Sequence, residues 1–173
     1  MTVAVLALQG AFIEHEHVLE ELGVKTVELR QAADLDQPYD GLILPGGEST
    51  VQGKLLRELR MFDGMPVLGT CAGLILLGSP EHLDTIPMQV KRNAYGRQLG
   101  SFHTEAEFKD LGLVPMSFIR APYVESVSDG VEVLSVVDDH IVGVRYGNQI
   151  AIAFHPELDS DRKIHQMFLD MIS

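Results

Sequence analysis

The one cysteine of this 173-residue chain lies between two glycines, in the pattern Gly69-x-Cys71-x-Gly73. A strand-like apolar run precedes it, and the apolar run Leu74–Leu77 follows it. This spacing is typical of a nucleophile at a sharp turn from a strand into a helix, where small neighbours let the backbone pass close to a strained residue. The start of a helix favours a thiolate and, later, an oxyanion. The structural alternative is a buried cysteine that packs as a small hydrophobe.

A histidine and a carboxylate stand two residues apart in His155-Pro156-Glu157, directly after the apolar run Ile150–Phe154. The proline keeps His155 extended, and residues i and i+2 of an extended chain point the same way. Glu157 can then hold one tautomer of the imidazole and stabilise its protonated form, as the base of a cysteine nucleophile requires. By itself the tripeptide is also typical of a strand that stops at a proline. Together with Cys71 it predicts a Cys–His–Glu triad.

A third candidate element is the run PGGEST at Pro45–Thr50, which follows another apolar segment. Two glycines before a helix let backbone N–H groups converge on a negative centre. The lysine of a P-loop is missing, so the pattern does not predict a nucleotide phosphate site. We interpret the run as half of an oxyanion hole, in which the N–H of Gly47 complements that of Ala72. The alternative is a tight turn with Glu48 or Ser49 near a helix cap.

The elements that must position these groups alternate between strands and helices in the first half of the chain. Apolar runs predict strands, and apolar residues at helical spacing predict helices. The predicted strands are Thr2–Leu8, Val24–Leu29, Gly41–Leu44 and Met65–Gly69, and the predicted helices are Phe12–Leu22, Glu48–Leu59 and a helix that begins at Ala72. This order indicates parallel strands joined by right-handed crossovers, with functional groups at the carboxyl ends of the strands.

The second half predicts short strands between Met88 and Ile152, many of them antiparallel, and a closing helix over Ser160–Ser173. The buried stripe predicted for that helix consists of Ile164, Met167, Phe168 and Met171. We therefore predict one domain over residues 1–173 with a three-layer α/β fold. A mostly parallel central sheet is flanked by helices and carries an antiparallel extension in the second half.

Composition excludes several classes of partner and site. The net charge of −12 and the lack of a basic run longer than Lys91-Arg92 argue against nucleic acid. No apolar run approaches the ~18 residues of a membrane span, and a lone cysteine fits a reducing compartment, so we expect a cytoplasmic protein. His15 and His17 do not share a helix face, and neither His-Glu-x-x-His nor Cys-x-x-Cys occurs, so no metal is expected.

With these elements in order, the chain resembles the class I, or triad, glutamine amidotransferases. More narrowly, it resembles the glutaminase subunits of pyridoxal 5′-phosphate synthases. The stretches that carry the narrower resemblance are LALQGAFIEH (Leu6–His15), LPGGEST (Leu44–Thr50), GTCAGLI (Gly69–Ile75), RNAYGRQ (Arg92–Gln98), FIRAP (Phe118–Pro122) and AFHPEL (Ala153–Leu158).

The resemblance implies hydrolysis of L-glutamine to glutamate and ammonia, without a cofactor. Cys71 would be the nucleophile, His155 the general acid and base, and Glu157 its orienting carboxylate. The resemblance assigns contacts with glutamine to Gly47, Glu48, Ser49, Arg92, Ile119 and Arg120. The ammonia would pass to a larger synthase subunit in a hetero-oligomeric complex.

Two alternatives and one departure accompany this interpretation. The chain could be the glutaminase subunit for imidazole glycerol phosphate or anthranilate synthesis, against which the RNAYGRQ stretch argues. It could also be a non-catalytic binding protein on the same scaffold, against which the intact Cys71, His155 and Glu157 argue. The segments Arg60–Gly64 and Ser79–Thr85 are shorter than the resemblance leads us to expect.

Overall fold

A computed structural model describes residues 1–8, 10–46, 64–92 and 101–172 of the chain. The strands within these ranges are β1 (Thr2–Leu6), β2 (Lys25–Leu29), β3 (Gly41–Leu44), β4 (Val67–Thr70), β5 (Met88–Lys91), β6 (Ser101–Phe108), β7 (Gly112–Ile119), β8 (Tyr123–Val127), β9 (Glu132–Val137), β10 (His140–Tyr146) and β11 (Gln149–Ile152). The α-helices are α1 (Phe12–Glu21), α2 (Ala72–Gly78) and α3 (Lys163–Asp170), and 3-10 helices cover Ala32–Asp36 and Pro156–Leu158. The helix predicted over Glu48–Leu59 lies outside the described residues.

Nine of these strands form one sheet, in which the order β2-β1-β3-β4-β11-β10-β8-β5 runs from edge to edge and β9 pairs with β10. The pairs from β2 to β11 are parallel, and the pairs from β11 to β5 are antiparallel. The prediction of a parallel sheet with an antiparallel extension is therefore confirmed. Since β4 and β11 are parallel neighbours, their carboxyl ends, and the segments that begin with Cys71 and Ala153, meet at the same edge.

The central strands are apolar throughout because both of their faces are covered. Every residue of β3 and β4 is buried, and so are Val3–Leu6 of β1. Such strands read as continuous apolar runs rather than as alternating patterns. The core of the protein therefore lies on both sides of the parallel strands, which fixes the edge at which the candidate site is built.

The antiparallel half contains a second sheet that the sequence prediction did not separate from the first. Strands β6 and β7 pair along their whole length, from Ser101 opposite Ile119 to Phe108 opposite Gly112. The sequence placed Phe102 and Phe118 in short strands, and the structure stacks their rings 4.5 Å apart across this hairpin. The hairpin brings Ile119, at the end of β7, to the edge where Cys71 lies.

The helices that the structure describes follow the predicted apolar faces, and α3 buries two further residues. Helix α1 stops before Gly23, which has a φ of +77°, as expected of a glycine that ends a helix. Of the stripe predicted for the closing helix, Ile164 and Phe168 are buried, and Met167 and Met171 are partly buried against the core. His165 and Leu169, which were not predicted, are also buried on α3. No helix within the described ranges is long and apolar enough to cross a membrane.

Candidate active site

Cys71 occupies a strained turn between β4 and α2. Its backbone has φ of 54° and ψ of −104°, a region that non-glycine residues rarely adopt. The Cys71 N–H donates to the Ile152 carbonyl oxygen over 2.8 Å, which continues the pairing of β4 with β11, and the Leu74 N–H donates to the Cys71 carbonyl oxygen over 3.0 Å. The chain thus changes from strand to helix at this one residue. The predicted strand-to-helix turn at Cys71 is present.

The two flanking glycines are required by close backbone contacts on both sides of the turn. A Cβ on Gly69 would lie 2.8 Å from the carbonyl carbon and oxygen of Gly73. A Cβ on Gly73 would overlap the backbone carbonyl oxygen of Leu44 in the adjacent β3. Because backbone atoms cannot move aside as a flexible side chain can, only glycine fits at these positions. The sequence pattern around Cys71 therefore has a direct packing cause.

His155 and Glu157 lie beyond the end of β11, next to Cys71. The His155 N–H donates to the Ser117 carbonyl oxygen of β7 over 2.9 Å, which anchors the backbone. His155 Nδ1 lies 2.6 Å from Glu157 Oε1, within hydrogen-bonding distance. The expectation of an extended chain here was wrong, because Pro156–Leu158 forms a 3-10 turn. The two side chains meet because this turn carries the carboxylate back towards the ring.

Gly46, two residues after β3, lets the imidazole and the cysteine approach one another. A Cβ on Gly46 would lie 2.6 Å from His155 Cε1 and 3.3 Å from Cys71 Cβ. One missing side chain therefore leaves the space in which both reactive groups lie. Cys71, His155 and Glu157 are 9%, 8% and 6% exposed, so the group is largely shielded from water.

The electrostatics of the site favour a protonated imidazole. Burial by itself lowers the pKa of His155, but hydrogen bonds to Cys71 and Glu157, together with their negative charges, raise it to about 10. At neutral pH the ring is then an imidazolium that lies between a sulfur and a carboxylate. Such a ring stabilises a neighbouring thiolate and can give up a proton to a leaving group.

The other predicted site residues are distributed around this group. The Ile119 carbonyl oxygen lies 3.9 Å from Cys71 Sγ, and Arg120, which follows it, is exposed and has a φ of +45°. Ala72 is the first residue of α2. Arg92 follows β5, where its guanidinium donates to His82 Nε2 over 3.0 Å. Gly47, Glu48 and Ser49 lie outside the described residues.

Three further buried polar residues were not predicted: one contacts Glu157, and the other two contact that residue. His15 of α1 lies with Nε2 3.4 Å from Glu157 Oε2 and 3.2 Å from Thr70 Oγ1. Its Nδ1 lies 2.8 Å from His165 Nε2 of α3. All three added residues are fully buried. The available signal was helical spacing, because His15 precedes the buried Val18 and Leu19 by three and four residues.

Both added histidines are neutral at physiological pH. Burial, followed by the charges of His165 and His155, lowers the pKa of His15 well below its usual value. Burial, followed by the charge of Arg162, lowers the pKa of His165 to about 4. Among the described residues, no group of three or more His, Cys, Asp or Glu side chains is arranged to hold a metal ion. The buried histidines are thus hydrogen-bonding groups within the protein.

The family profile and the related sequences that match this chain agree with one another. The profile of the SNO glutamine amidotransferase family matches residues 5–173. A pyridoxal 5′-phosphate synthase subunit PdxT of Desulfitobacterium hafniense strain Y51 is 63% identical over 187 aligned positions, which cover 100% of this chain and 94% of that protein. A pyridoxal 5′-phosphate synthase subunit PdxT of Streptococcus pneumoniae strain D39 is 52% identical, with 99% of this chain and 97% of that protein covered.

Solved structures give the same fold. A crystal structure of a glutamine amidotransferase superposes with a TM-score of 0.89 at 40% sequence identity and covers 98% of each chain. A putative GMP synthase component from Thermoplasma acidophilum superposes with a TM-score of 0.75 at 20% identity, covering 99% of this chain and 94% of its own, which shows likeness of fold alone. The predicted α/β architecture is confirmed by both.

Proposed function

Because this chain belongs to the SNO glutamine amidotransferase family, we propose that it hydrolyses L-glutamine to L-glutamate and ammonia and supplies the ammonia to a pyridoxal 5′-phosphate synthase. The observation that carries the proposal is the strained Cys71 turn packed beside the His155–Glu157 pair. A buried cysteine that only fills space needs neither a positive φ nor an imidazolium next to it. A thiolate nucleophile is served by both, because the turn directs the sulfur at the substrate and the cationic ring stabilises its negative charge.

The first half of the reaction forms a thioester. The Cys71 thiolate attacks the side-chain carboxamide carbon of glutamine, and the carbonyl oxygen becomes an oxyanion. In this proposal the backbone N–H groups of Gly47 and Ala72 stabilise that oxyanion, each being worth roughly 3 kcal/mol of barrier. Protonated His155 donates its proton to the departing nitrogen, the C–N bond breaks, and ammonia leaves. Glu157 stabilises the imidazolium and fixes its orientation.

The second half releases glutamate. His155, now neutral, takes a proton from water, and the resulting hydroxide attacks the thioester carbon. The C–S bond breaks, glutamate leaves, and the Cys71 thiolate and the His155 imidazolium are restored. No oxidant, reductant or cofactor is needed for either half.

Recognition of glutamine is proposed for the residues around the turn. The Ile119 carbonyl lies near the sulfur and can accept a hydrogen bond from the substrate. A guanidinium is suited to the α-carboxylate of glutamine, and Arg92 and Arg120 are the proposed cations. Glu48 and Ser49, with Gly47, complete the proposed set of contacts.

The choice of synthase rests on the comparisons. The relatives named pyridoxal 5′-phosphate synthase subunits cover nearly the whole chain at 63% and 52% identity. The neighbour related to GMP synthase shares only 20% identity, so it does not favour another synthase. We propose that the partner is the synthase subunit, and that contact with it stimulates an otherwise slow glutaminase by completing the oxyanion hole.

One experiment tests enzyme and partner together. Ammonia and glutamate released from L-glutamine are measured for the natural chain and for Cys71→Ala, each alone and with the synthase subunit. The natural chain should be slow alone and faster in the complex, and Cys71→Ala should release no ammonia while its circular dichroism spectrum is retained. Substantial turnover by Cys71→Ala would exclude the nucleophile, and equal rates with and without the synthase subunit would exclude the stimulation.

A further inference from the structure

The carboxylate of Glu157 has neighbours on both of its oxygens. Oε1 lies 2.6 Å from His155 Nδ1. Oε2 faces His15 Nε2 at 3.4 Å, and among the described residues it has no hydrogen bond of full geometry. His15 continues to His165, 2.8 Å away, so a buried row of polar groups runs from Cys71 inward. The mechanism above gives no role to His15 or His165, the inner residues of this row.

The positions of the protons in the row follow from its chemistry. Between two neutral rings one nitrogen must donate and the other must accept. If His15 donated from Nδ1, its Nε2 lone pair would face the Glu157 carboxylate, and His165 Nδ1 would be a buried N–H without a hydrogen-bond partner among the described residues. If His165 donates from Nε2, the His15 N–H faces the carboxylate, and only an acceptor nitrogen lacks a partner. The second arrangement is favoured, because a buried unpaired donor and a lone pair against a carboxylate are both unfavourable.

We propose that His15, held in its Nε2–H tautomer by His165, is a positioning residue that fixes the Glu157 carboxylate against His155. The inference rests on the proposed glutaminase function of the same site. His15 is fully buried, and its polar side-chain contacts among the described residues are with Glu157, Thr70 and His165, so it acts through Glu157. Its N–H, shared with Thr70 Oγ1, gives Oε2 a partially positive neighbour and keeps Oε1 directed at the imidazole.

The elements packed around His15 fit this role. Thr70 faces it from β4, Glu157 from the 3-10 turn after β11, His165 from α3, and the charge of His155 acts on it from beyond Glu157. A ring that is fully buried among these groups is neutral, since its pKa is lowered well below the usual value by burial first and then by the two histidines. A neutral ring can donate to Glu157 without adding a second positive charge beside the imidazolium of His155.

Two substitutions of His15 that differ by one methylene group test whether a hydrogen-bond donor is needed at the position of Nε2. In His15→Gln the side-chain amide nitrogen reaches the place of Nε2, whereas in His15→Asn it ends near the place of Nδ1. The matched control is His17→Asn on the exposed side of the same helix. Each full-length variant is assayed in the complex with the synthase subunit for kcat and KM. The rate of alkylation of Cys71 by iodoacetamide is followed from pH 5 to 9, and no other cysteine in the chain reacts.

We expect His15→Asn to lower kcat roughly ten- to a hundredfold with little change in KM. Alkylation near pH 6 should slow in parallel, because a less firmly held Glu157 stabilises the imidazolium–thiolate pair less. His15→Gln should recover most of both quantities, and His17→Asn should match the natural chain. If His15→Asn and His15→Gln behave alike, or if kcat falls while the alkylation profile stays unchanged, His15 has only a packing role and the proposal is wrong.

A measurement on the unsubstituted protein avoids any folding defect of the variants. Nitrogen-15 NMR of labelled histidine at pH 7 should show His15 and His165 as neutral rings that carry the proton on Nε2. A proton on Nδ1 of His15 would overturn the proposal. If the natural chain releases no ammonia from glutamine, the proposed function fails, while the tautomer and alkylation measurements still decide the role of His15.

Discussion

Acidification from pH 7 to pH 5 should destabilise this protein through His165, which is buried in the neutral form. Its pKa in the folded chain is lowered to about 4, first by burial and then by Arg162, while an unfolded histidine titrates near ~6.5. Between these two values the unfolded chain binds a proton that the folded chain does not bind. The contribution of neutral His165 to the free energy of unfolding is therefore fully present above pH ~6.5 and is lost as the pH is lowered towards 4.

The size of the effect follows from linkage. Each pH unit below the unfolded pKa costs about 1.4 kcal/mol per histidine until the folded pKa is reached. For His165 the free energy of unfolding should fall by about 2 kcal/mol between pH 7 and pH 5. His15 adds a loss of the same sign, because burial also lowers its pKa.

The assay is urea unfolding followed by circular dichroism at pH 7 and at pH 5. His165→Gln keeps an N–H near His15 and cannot titrate, so its loss of stability between the two pH values should be about 2 kcal/mol smaller than that of the natural chain. His17→Gln, on the exposed side of α1, is the control and should show the natural loss. Carboxylates contribute equally to all three proteins, and their effect cancels in the difference. Equal losses for His165→Gln and the natural chain would refute the reasoning.

Two glycine substitutions should separate the reactive centre from the packing that supports it. Gly46→Ala places a methyl group 2.6 Å from His155 Cε1, so ammonia release should fall about 10²-fold while the urea midpoint changes little. Normal turnover by Gly46→Ala would show that the ring tolerates displacement. Gly73→Ala places its methyl group on the Leu44 carbonyl oxygen of β3, so it should lower the free energy of unfolding by about 3 kcal/mol or more, as overpacking against rigid backbone does. A thermal melt of Gly73→Ala that matches the natural chain would contradict this account.

The sequence predicted the local structure of the site where residues close together in the chain determine it. The Gly69-x-Cys71-x-Gly73 spacing predicted the strand-to-helix turn, and the structure gives Cys71 its positive φ. His155 and Glu157 were expected side by side from their separation of two residues, and their side chains are 2.6 Å apart. The reason given for that contact was nevertheless wrong, because a 3-10 turn rather than an extended chain brings them together.

Only the tertiary structure determined which residues from distant parts of the chain lie next to Cys71, His155 and Glu157. His15 and His165 are 150 positions apart and meet where α1 approaches α3, which no local pattern encodes. The space beside Gly46 likewise holds His155 and Cys71 only because β3, β4 and β11 are neighbours in one sheet. The sequence by itself thus determined the reactive groups and their local geometry through backbone sterics and spacing. The order of the strands determined what surrounds those groups, because burial and charge are set by contacts between segments far apart in the chain.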